Sequence, residues 1–374
     1  MITKIDHQIK IKKLETFSTR HIGVVKLTMK DGSQGWGQMS TYFADISTQI
    51  FHHQVAPHVI NKEFSSFSDI GELVLEKEHK FPGSYVLRAL AGLDTALWDW
   101  LGKKMELPVT GLIGGHSGKL TAYASSMKRD ITPNDEATRL CALRDIYGFR
   151  SFKFRVGSEC GRGRDEWRGR TEEIISTVPK ALGDSCVKMV DANSCYSSQQ
   201  AIKLGQLLED NNVSHFEEPC PYWLPDETRK VTDALDIDVT GGEQDCDFRI
   251  WKDTIDRKIV NIVQPDIMYM GGLSRSLKVA KMAEAANLPC TPHAANLSLV
   301  TICTMHFLKA IKNAGKYLEF SIEGDDYYPW QKNLFLGKPF HVDDGQVTIS
   351  DLPGWGVEFD PEWLRRSKYQ QSEL

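Results

Sequence analysis

Six acidic or basic residues recur at nearly one spacing along the second half of the chain. Asp191, Glu217, Glu243, Asp266, His293 and Glu319 are separated by 26, 26, 23, 27 and 26 residues. Upstream, "FKFRVG" sets Lys153 and Arg155 two residues apart. A strand alternates its faces, so both cations point one way and Phe154 the other. Like charges side by side repel unless an anion lies between or beyond them. Three carboxylates drawn together likewise raise one another's pKa and call for a cation. An all-oxygen set suits a hard ion with room left for water and substrate. Mg²⁺ therefore fits Asp191, Glu217 and Glu243 better than Zn²⁺ does. His293 follows Asp266 by one repeat, and on neighbouring strands the two come within hydrogen-bond reach. The carboxylate would fix the imidazole tautomer and raise its basicity. Cys290, three residues before His293, is not aimed with it, and no serine or cysteine nucleophile pattern is present.

The elements that must position these residues are short β-rich runs alternating with helical stretches. From about Leu120 the runs are "TAYAS", "SFKFRVG", "VKMVDAN", "SHFEEP", "DVTGGE", "VNIVQPD", "PCTPHA" and "YLEFS". Eight strands with intervening helices predict a parallel (β/α) barrel, within the α/β class. One polar residue in the same phase of each repeat falls on one rim, and such barrels carry their sites on the C-terminal rim. The first ~115 residues read as an α+β unit. Two strands and an Asp31-Gly32 turn precede helical patterning that reaches about Gly102. The expected division is an α+β unit over 1–118, a barrel over 119–328 and a loop-rich segment over 329–374.

Bulk properties exclude several classes. The chain of 374 residues is too long for one ordinary core, which favours two domains or a barrel with additions. A net charge of −5 and no long basic run argue against nucleic acid as a partner. No apolar run reaches the roughly 18 residues of a membrane span. "MITKIDHQIKIKK" alternates like a strand and lacks the apolar core of a signal peptide. Eight scattered cysteines without a CxxC pair read as reduced thiols of a cytoplasmic protein. The glycines of "GLIGGHSG" lack the lysine of a phosphate loop and read as a linker turn.

With these residues in view, the chain resembles the enolase superfamily, and within it the mandelate racemase-like subgroup. The resemblance rests on K-x-R at 153–155, "VDAN", "FEEP", "GGEQ", "QPD", "TPHAAN" and "YLE". It extends to "GLDTALWDWLGKK" with "LPVTGLIGG" at the family's cap–barrel junction, and to "DLPGWGVEFD" at its C-terminal return to the cap. It implies a (β/α)7β modified TIM barrel with an α+β N-terminal capping domain completed by the C-terminal tail. It also implies one Mg²⁺ and removal of a proton alpha to a carboxylate. Position by position, Asp191, Glu217 and Glu243 bind the metal and Lys153 contacts the substrate carboxylate. Asp266 and His293 form the general base/acid dyad, and Glu319 hydrogen-bonds the carboxylate as it becomes an enediolate. The Lys-or-His base with Mg²⁺ is the general scheme of this superfamily. Homo-oligomers are common in the family and are expected here.

The chain departs from the family where members that work on both faces of a substrate commonly carry lysine. Arg155 stands there, and arginine is a poor base because its pKa exceeds about 12. Dehydration needs one base if His293 also returns the proton to the departing β-hydroxyl. The expected reaction is therefore loss of water from an acid sugar to give a 2-keto-3-deoxy acid, with Arg155 staying charged. An epimerase or racemase of a 2-hydroxy acid, and a catalytically silent Mg²⁺ and sugar-acid binding homologue, remain as alternatives. Candidate substrate contacts are Asn193 and the cap loops "FSTRH" and "STYFAD", which offer Arg20 or His21 to a distal carboxylate or hydroxyls. Tyr42 or Phe43 would pack over the site. The loop "SECGRGRDEWRGR", with four arginines, reads as a solvated surface loop.

Overall fold

The computed structural model describes residues 9–373. The start of the expected N-terminal strand, residues 4–8, lies outside the described residues. Three antiparallel strands follow: β1 (Ile9–Ser18), β2 (Gly23–Met29) and β3 (Gln34–Gln38). In the turn after β2, Gly32 has a positive φ of 87° and Asp31 Oδ1 accepts from Ser33 N at 2.9 Å. A two-residue strand, β4 (Glu63–Phe64), pairs with the start of β1.

The Ser84–Met105 helix lies on this sheet and is buried almost continuously from Val86 to Gly102. Contact on all sides explains why its apolar residues do not keep to one stripe. The sheet approaches closely because β3 reads Gly35-Trp36-Gly37. A Cβ at Gly37 would lie 2.4 Å from Ala96 N, a backbone clash that only glycine avoids. Asp99 of the helix accepts from Trp36 N at 2.8 Å and from Trp355 N at 3.1 Å. One carboxylate thus ties the sheet, the helix and the C-terminal segment together.

Six strands of the barrel run in order as one parallel sheet: β5 (Lys119–Ser125), β6 (Ser151–Arg155), β7 (Val187–Asp191), β8 (Val213–Glu217), β9 (Asp238–Gly241) and β10 (Ile262–Val263). β11 (Leu318–Ser321) pairs in parallel with β5 from the other side. The seventh expected run, "PCTPHA", is not a full strand. It contributes single parallel bridges from Cys290 to Val263 and to Ala314. Pro289 and Pro292 have no N–H to donate, so a longer ladder is not available there.

The C-terminal segment touches both units. β12 (Val342–Asp343) and β13 (Gln346–Thr348) form a hairpin, and β13 pairs antiparallel with β5. β14 (Lys368–Glu373) then pairs antiparallel with β1. Side chains join the cap to the barrel. Gln38 Nε2 donates to Ser298 Oγ at 2.9 Å while Gln38 Oε1 accepts from Leu299 N at 3.1 Å. Both contacts sit at the start of the Leu299–Leu308 helix, just after His293. No helix among the described residues is long and apolar enough to cross a membrane.

Candidate active site

Strand register places the recurring residues. Arg155 pairs with Asp191 across β6 and β7, and Asp191 pairs with Glu217 across β7 and β8. These three side chains therefore stand in one row at the C-terminal ends of adjacent strands. Lys153 lies two residues below Arg155 on the same face. Lys153, Arg155, Asp191, Glu217, Glu243, Asp266, His293 and Glu319 are all buried, and buried charges require partners.

Each expected metal-binding carboxylate is paired with its own base. Lys153 Nζ donates to Glu217 Oε1 and Oε2, both at 2.8 Å, and lies 2.8 Å from Glu319 Oε1. Arg155 Nη1 contacts Asp191 Oδ2. His293 Nε2 lies 3.4 Å from Glu243 Oε2. Among the described residues no three His, Cys, Asp or Glu side chains are drawn closely enough together to hold an ion as they stand. Pairing with three bases disperses the repulsion that a closed carboxylate cluster would create. The donor set nonetheless fits a hard divalent cation: three carboxylates from successive repeats, all oxygen ligands. Beside them the Oε1 of buried Glu218 has no hydrogen-bond partner. Burial, with Glu243 and Glu217 nearby, holds the Glu218 carboxyl well above its ordinary range.

Asp266 and His293 meet as the spacing predicts. His293 Nδ1 is 2.8 Å from Asp266 Oδ2. Asp266 Oδ1 accepts from Met268 N at 2.7 Å and Tyr269 N at 3.0 Å, which holds the carboxylate still. Burial alone would lower the His293 pKa. Glu243, Asp266 and Glu319 outweigh it and push the imidazole up to about 10. Tyr269 borders the ring at 6.0 Å and carries the Arg88 guanidinium 3.5 Å over its own face.

Glu319 is the most enclosed acid of the site. It accepts from Ser125 Oγ at 2.8 Å and Ala294 N at 2.7 Å. Burial would raise its pKa, yet Lys153 and His293 hold it well below the usual carboxylate range. Lys153 is in turn an ammonium. Burial opposes the charge, but Glu217 and Glu319 together raise its pKa above the ordinary lysine value.

Arg155 is bound on every side. Nε donates to Ser126 O at 2.8 Å, Nη1 to Asn193 Oδ1 at 2.8 Å and to Asp191, and Nη2 faces Met127 Sδ. Arg170 lies behind it and donates to Arg155 O at 3.0 Å. Arg170 is fully buried, so the arginine-rich loop is not solvated throughout. Its last arginine braces β6.

Asn193 is beside Asp191, with its own N–H on Asp191 Oδ1 at 2.8 Å. His21 and Tyr42 reach the cap side of the mouth. The His21 ring stacks on Trp330 with centroids 5.9 Å apart and meets Tyr42 edge-on at 5.9 Å. Arg20 is exposed and lies over Phe43 at 5.5 Å, on the cap surface. Several residues escaped the sequence reading. Gln264 donates to Glu217 Oε2 at 2.9 Å, and Arg129 donates to Asn193 Oδ1 at 2.7 Å. Tyr327, Tyr328 and Trp330 follow the last barrel strand. Gln264 stands two residues before Asp266 in "QPD", the one signal that could have found it.

Family models match this geometry over most of the chain. Residues 5–114 match the mandelate racemase / muconate lactonizing enzyme N-terminal domain, and residues 135–363 match the enolase C-terminal domain-like family. The chain belongs to the enolase superfamily, in its mandelate racemase-like subgroup. Among solved structures, that of a candidate racemase from Roseobacter denitrificans superposes with a TM-score of 0.97 at 58% identity, covering 98% of this chain and 100% of that one. A mandelate racemase/muconate lactonizing protein from Paracoccus denitrificans PD1222, complexed with magnesium, gives a TM-score of 0.88 at 26% identity, covering 98% of each chain. Among curated relatives, arabinonate dehydratase of Saccharolobus solfataricus is 25% identical over 90% of this chain and 87% of its own. D-galactarolactone cycloisomerase of Agrobacterium fabrum is 30% identical over 74% of this chain and 73% of its own. Enolase superfamily membership brings with it the expected layout, a capping domain over a modified TIM barrel.

Proposed function

We propose that the protein is a hydro-lyase that removes water from an acid sugar, giving a 2-keto-3-deoxy acid. The observation that carries this reading is the asymmetry of the two flanks of the site. His293 is an imidazole backed by an anchored carboxylate. Arg155, on the flank where a second base would stand, is held by Ser126 O, Asn193, Asp191 and Met127. A guanidinium so engaged stays charged and takes no proton. A single base suffices for elimination but not for inverting a stereocentre. Kinship with dehydratases of arabinonate and galactonate supports the same reading.

The residues act as follows. Mg²⁺, held by Asp191, Glu217 and Glu243, would supply positive charge against the negative charge that builds on the substrate carboxylate. With the ion bound, those carboxylates would give up their present basic partners. Lys153, freed from Glu217, donates to the substrate carboxylate. Glu319 is ionised as it stands and cannot donate to the substrate carboxylate, the role the resemblance implies; it keeps the ammonium aimed, and the preformed pair needs no reorganisation as charge develops. With Glu243 committed to the ion, the charge that holds His293 protonated would be cancelled, and the neutral imidazole takes the α-proton on Nε2 while Asp266 holds Nδ1. The same imidazole returns the proton to the leaving β-hydroxyl, so no other acid is required. His21, Tyr42 and Asn193 line the remainder of the substrate chamber.

A second reading has one observation in its favour: the Roseobacter structure at 58% identity is described as a racemase. It requires a second base facing His293, a role that Arg155 does not fill. A screen of mono- and diacid sugars with Mg²⁺, read as semicarbazones of 2-keto acids, tests the proposal. Product from one or a few sugars supports it. C2 epimers without keto acid would replace it with the racemase reading.

A further inference from the structure

Two guanidinium groups converge on one neutral oxygen. Arg129 Nη2 and Arg155 Nη1 donate to Asn193 Oδ1 at 2.7 and 2.8 Å. Arg155 has Asp191 as its counter-ion. For Arg129 only two acceptors are present among the described residues, Asn193 Oδ1 and Gly157 O at 3.0 Å, and neither is charged. Of the five N–H donors of a guanidinium, most are left for something else. Burial and the neighbouring charge of Arg155 lower the Arg129 pKa to about 10, which still leaves a full cation at neutral pH. Glu159 and Glu166 act on Arg129 at longer range but make no hydrogen bond or ion pair with it among the described residues, so its unspent donors are open to an incoming anion.

On the side of Tyr42 and Tyr327 the wall beside this cation is hydroxylated, and Glu159 acts on Tyr42 as well as on Arg129. Tyr42 is hydrogen-bonded to Tyr328 and lies within the influence of Arg155. Tyr327 is influenced by both Arg155 and Arg129. Arg129 stands just beyond β5 and Arg155 at the end of β6, whereas His293 belongs to the seventh repeat across the mouth. Lys153 sits below, among Glu217 and Glu319. A substrate whose reacting carboxylate meets Lys153, and whose chain runs outward past the end of β6 toward the loop after β5, reaches Arg129 beyond Arg155.

We propose that Arg129 is a specificity-determining residue that binds a second anionic group at the far end of the substrate, so that the preferred substrate is a dicarboxylic acid sugar rather than a monocarboxylic one. The tyrosine wall would receive the hydroxyls between the two ends. This rests on the acid-sugar reading above and narrows it to one substrate class.

Binding rather than turnover tests it, with His293→Asn as the background that stops reaction. Calorimetry with Mg²⁺ would compare aldarates with aldonates of the same configuration, galactarate against galactonate among them. The aldarate is expected to bind about 10- to 100-fold more tightly, the scale of a charged hydrogen bond. Arg129→Gln should shrink that ratio below about threefold by weakening the aldarate far more than the aldonate, and Arg129→Lys should retain a preference for the diacid. No preference in the parent protein overturns the proposal. So does a loss in Arg129→Gln that is equal for both acids, because that would mark Arg129 as a support for Asn193 alone. A 6-phosphoaldonate that outbinds the aldarate would overturn the dicarboxylate assignment and make the far group a phosphate. The dehydration reading fails separately, by absence of 2-keto acid from the wild-type protein.

Discussion

On one flank of the barrel mouth His293 meets two carboxylates, and on the other Arg155 meets a backbone carbonyl, an amide, a carboxylate and a thioether. Both groups are buried and both are basic, yet their environments prepare them for opposite work. Asp266 takes Nδ1 of His293 and leaves Nε2 with Glu243 alone, at 3.4 Å. The imidazole is oriented but not saturated, which is what a proton carrier needs. The Arg155 donors are largely consumed, which is what a fixed charge needs. The chemistry that the site supports is therefore one-sided. Basicity alone does not mark a base; its unspent hydrogen-bonding capacity does.

The largest expected effect comes from removing the competent flank. His293→Asn should lower kcat by about 10³-fold or more, the upper range for a positioned acid/base, while calorimetry still detects Mg²⁺ and substrate binding. Undiminished turnover would dissolve the contrast between the flanks. Asp266→Asn should be milder, about 10²-fold in kcat. The backbone bonds from Met268 and Tyr269 hold the side chain in place, but the partner that fixes the imidazole tautomer is altered.

The other flank is probed by Arg155→Lys. Lysine cannot reproduce the forked contacts to Ser126 O, Asn193 and Asp191, so kcat/KM for dehydration should fall about 10- to 100-fold. The new ammonium is titratable, and α-proton exchange from the second face would then become measurable by NMR in D₂O. If dehydration were unchanged, the contacts of Arg155 would have no catalytic consequence.

The smallest effect is electrostatic. His293 stands at about 10, with Glu243 the largest contribution opposing its burial. A cation on Glu243 cancels that contribution, so the imidazole should titrate about 1 to 3 units lower with Mg²⁺ present. The sign follows from linkage: an ion that favours neutral His293 releases a proton on binding, and its affinity rises with pH until the metal-free imidazole is deprotonated. An NMR titration of His293 with and without Mg²⁺ reads this directly. An unchanged or raised value would separate Glu243 from the ion.

The residues that lay in plain view in the sequence are those fixed by the βα repeat. Asp191 and Glu217 end consecutive strands, and their Cα partnership follows from parallel register. Asp266 and His293 are paired for the same reason, even though the seventh repeat supplies only two single bridges, both at Cys290. That repeat kept its phase without keeping its strand, because prolines remove ladder donors and not the spacing between loops. Arg129, Tyr328 and Trp330 were hidden for the opposite reason. They sit on irregular loops, and only closure of the barrel and docking of the cap bring them beside Asn193, Tyr42 and His21. Arg155 was legible as an anomaly of type. Its locked environment, built from Ser126, Met127 and Asn193 on two neighbouring repeats, was not, since no spacing rule connects those positions.

The most direct test of one-sided chemistry is to incubate the wild-type protein with Mg²⁺ and its reactive acid sugar in D₂O, then examine both product and recovered substrate by NMR. The expected product is 2-keto-3-deoxy acid, with any deuterium at C2 of recovered substrate in the original configuration. Deuterated C2 epimer would contradict it, because a second base would then stand where Arg155 is held.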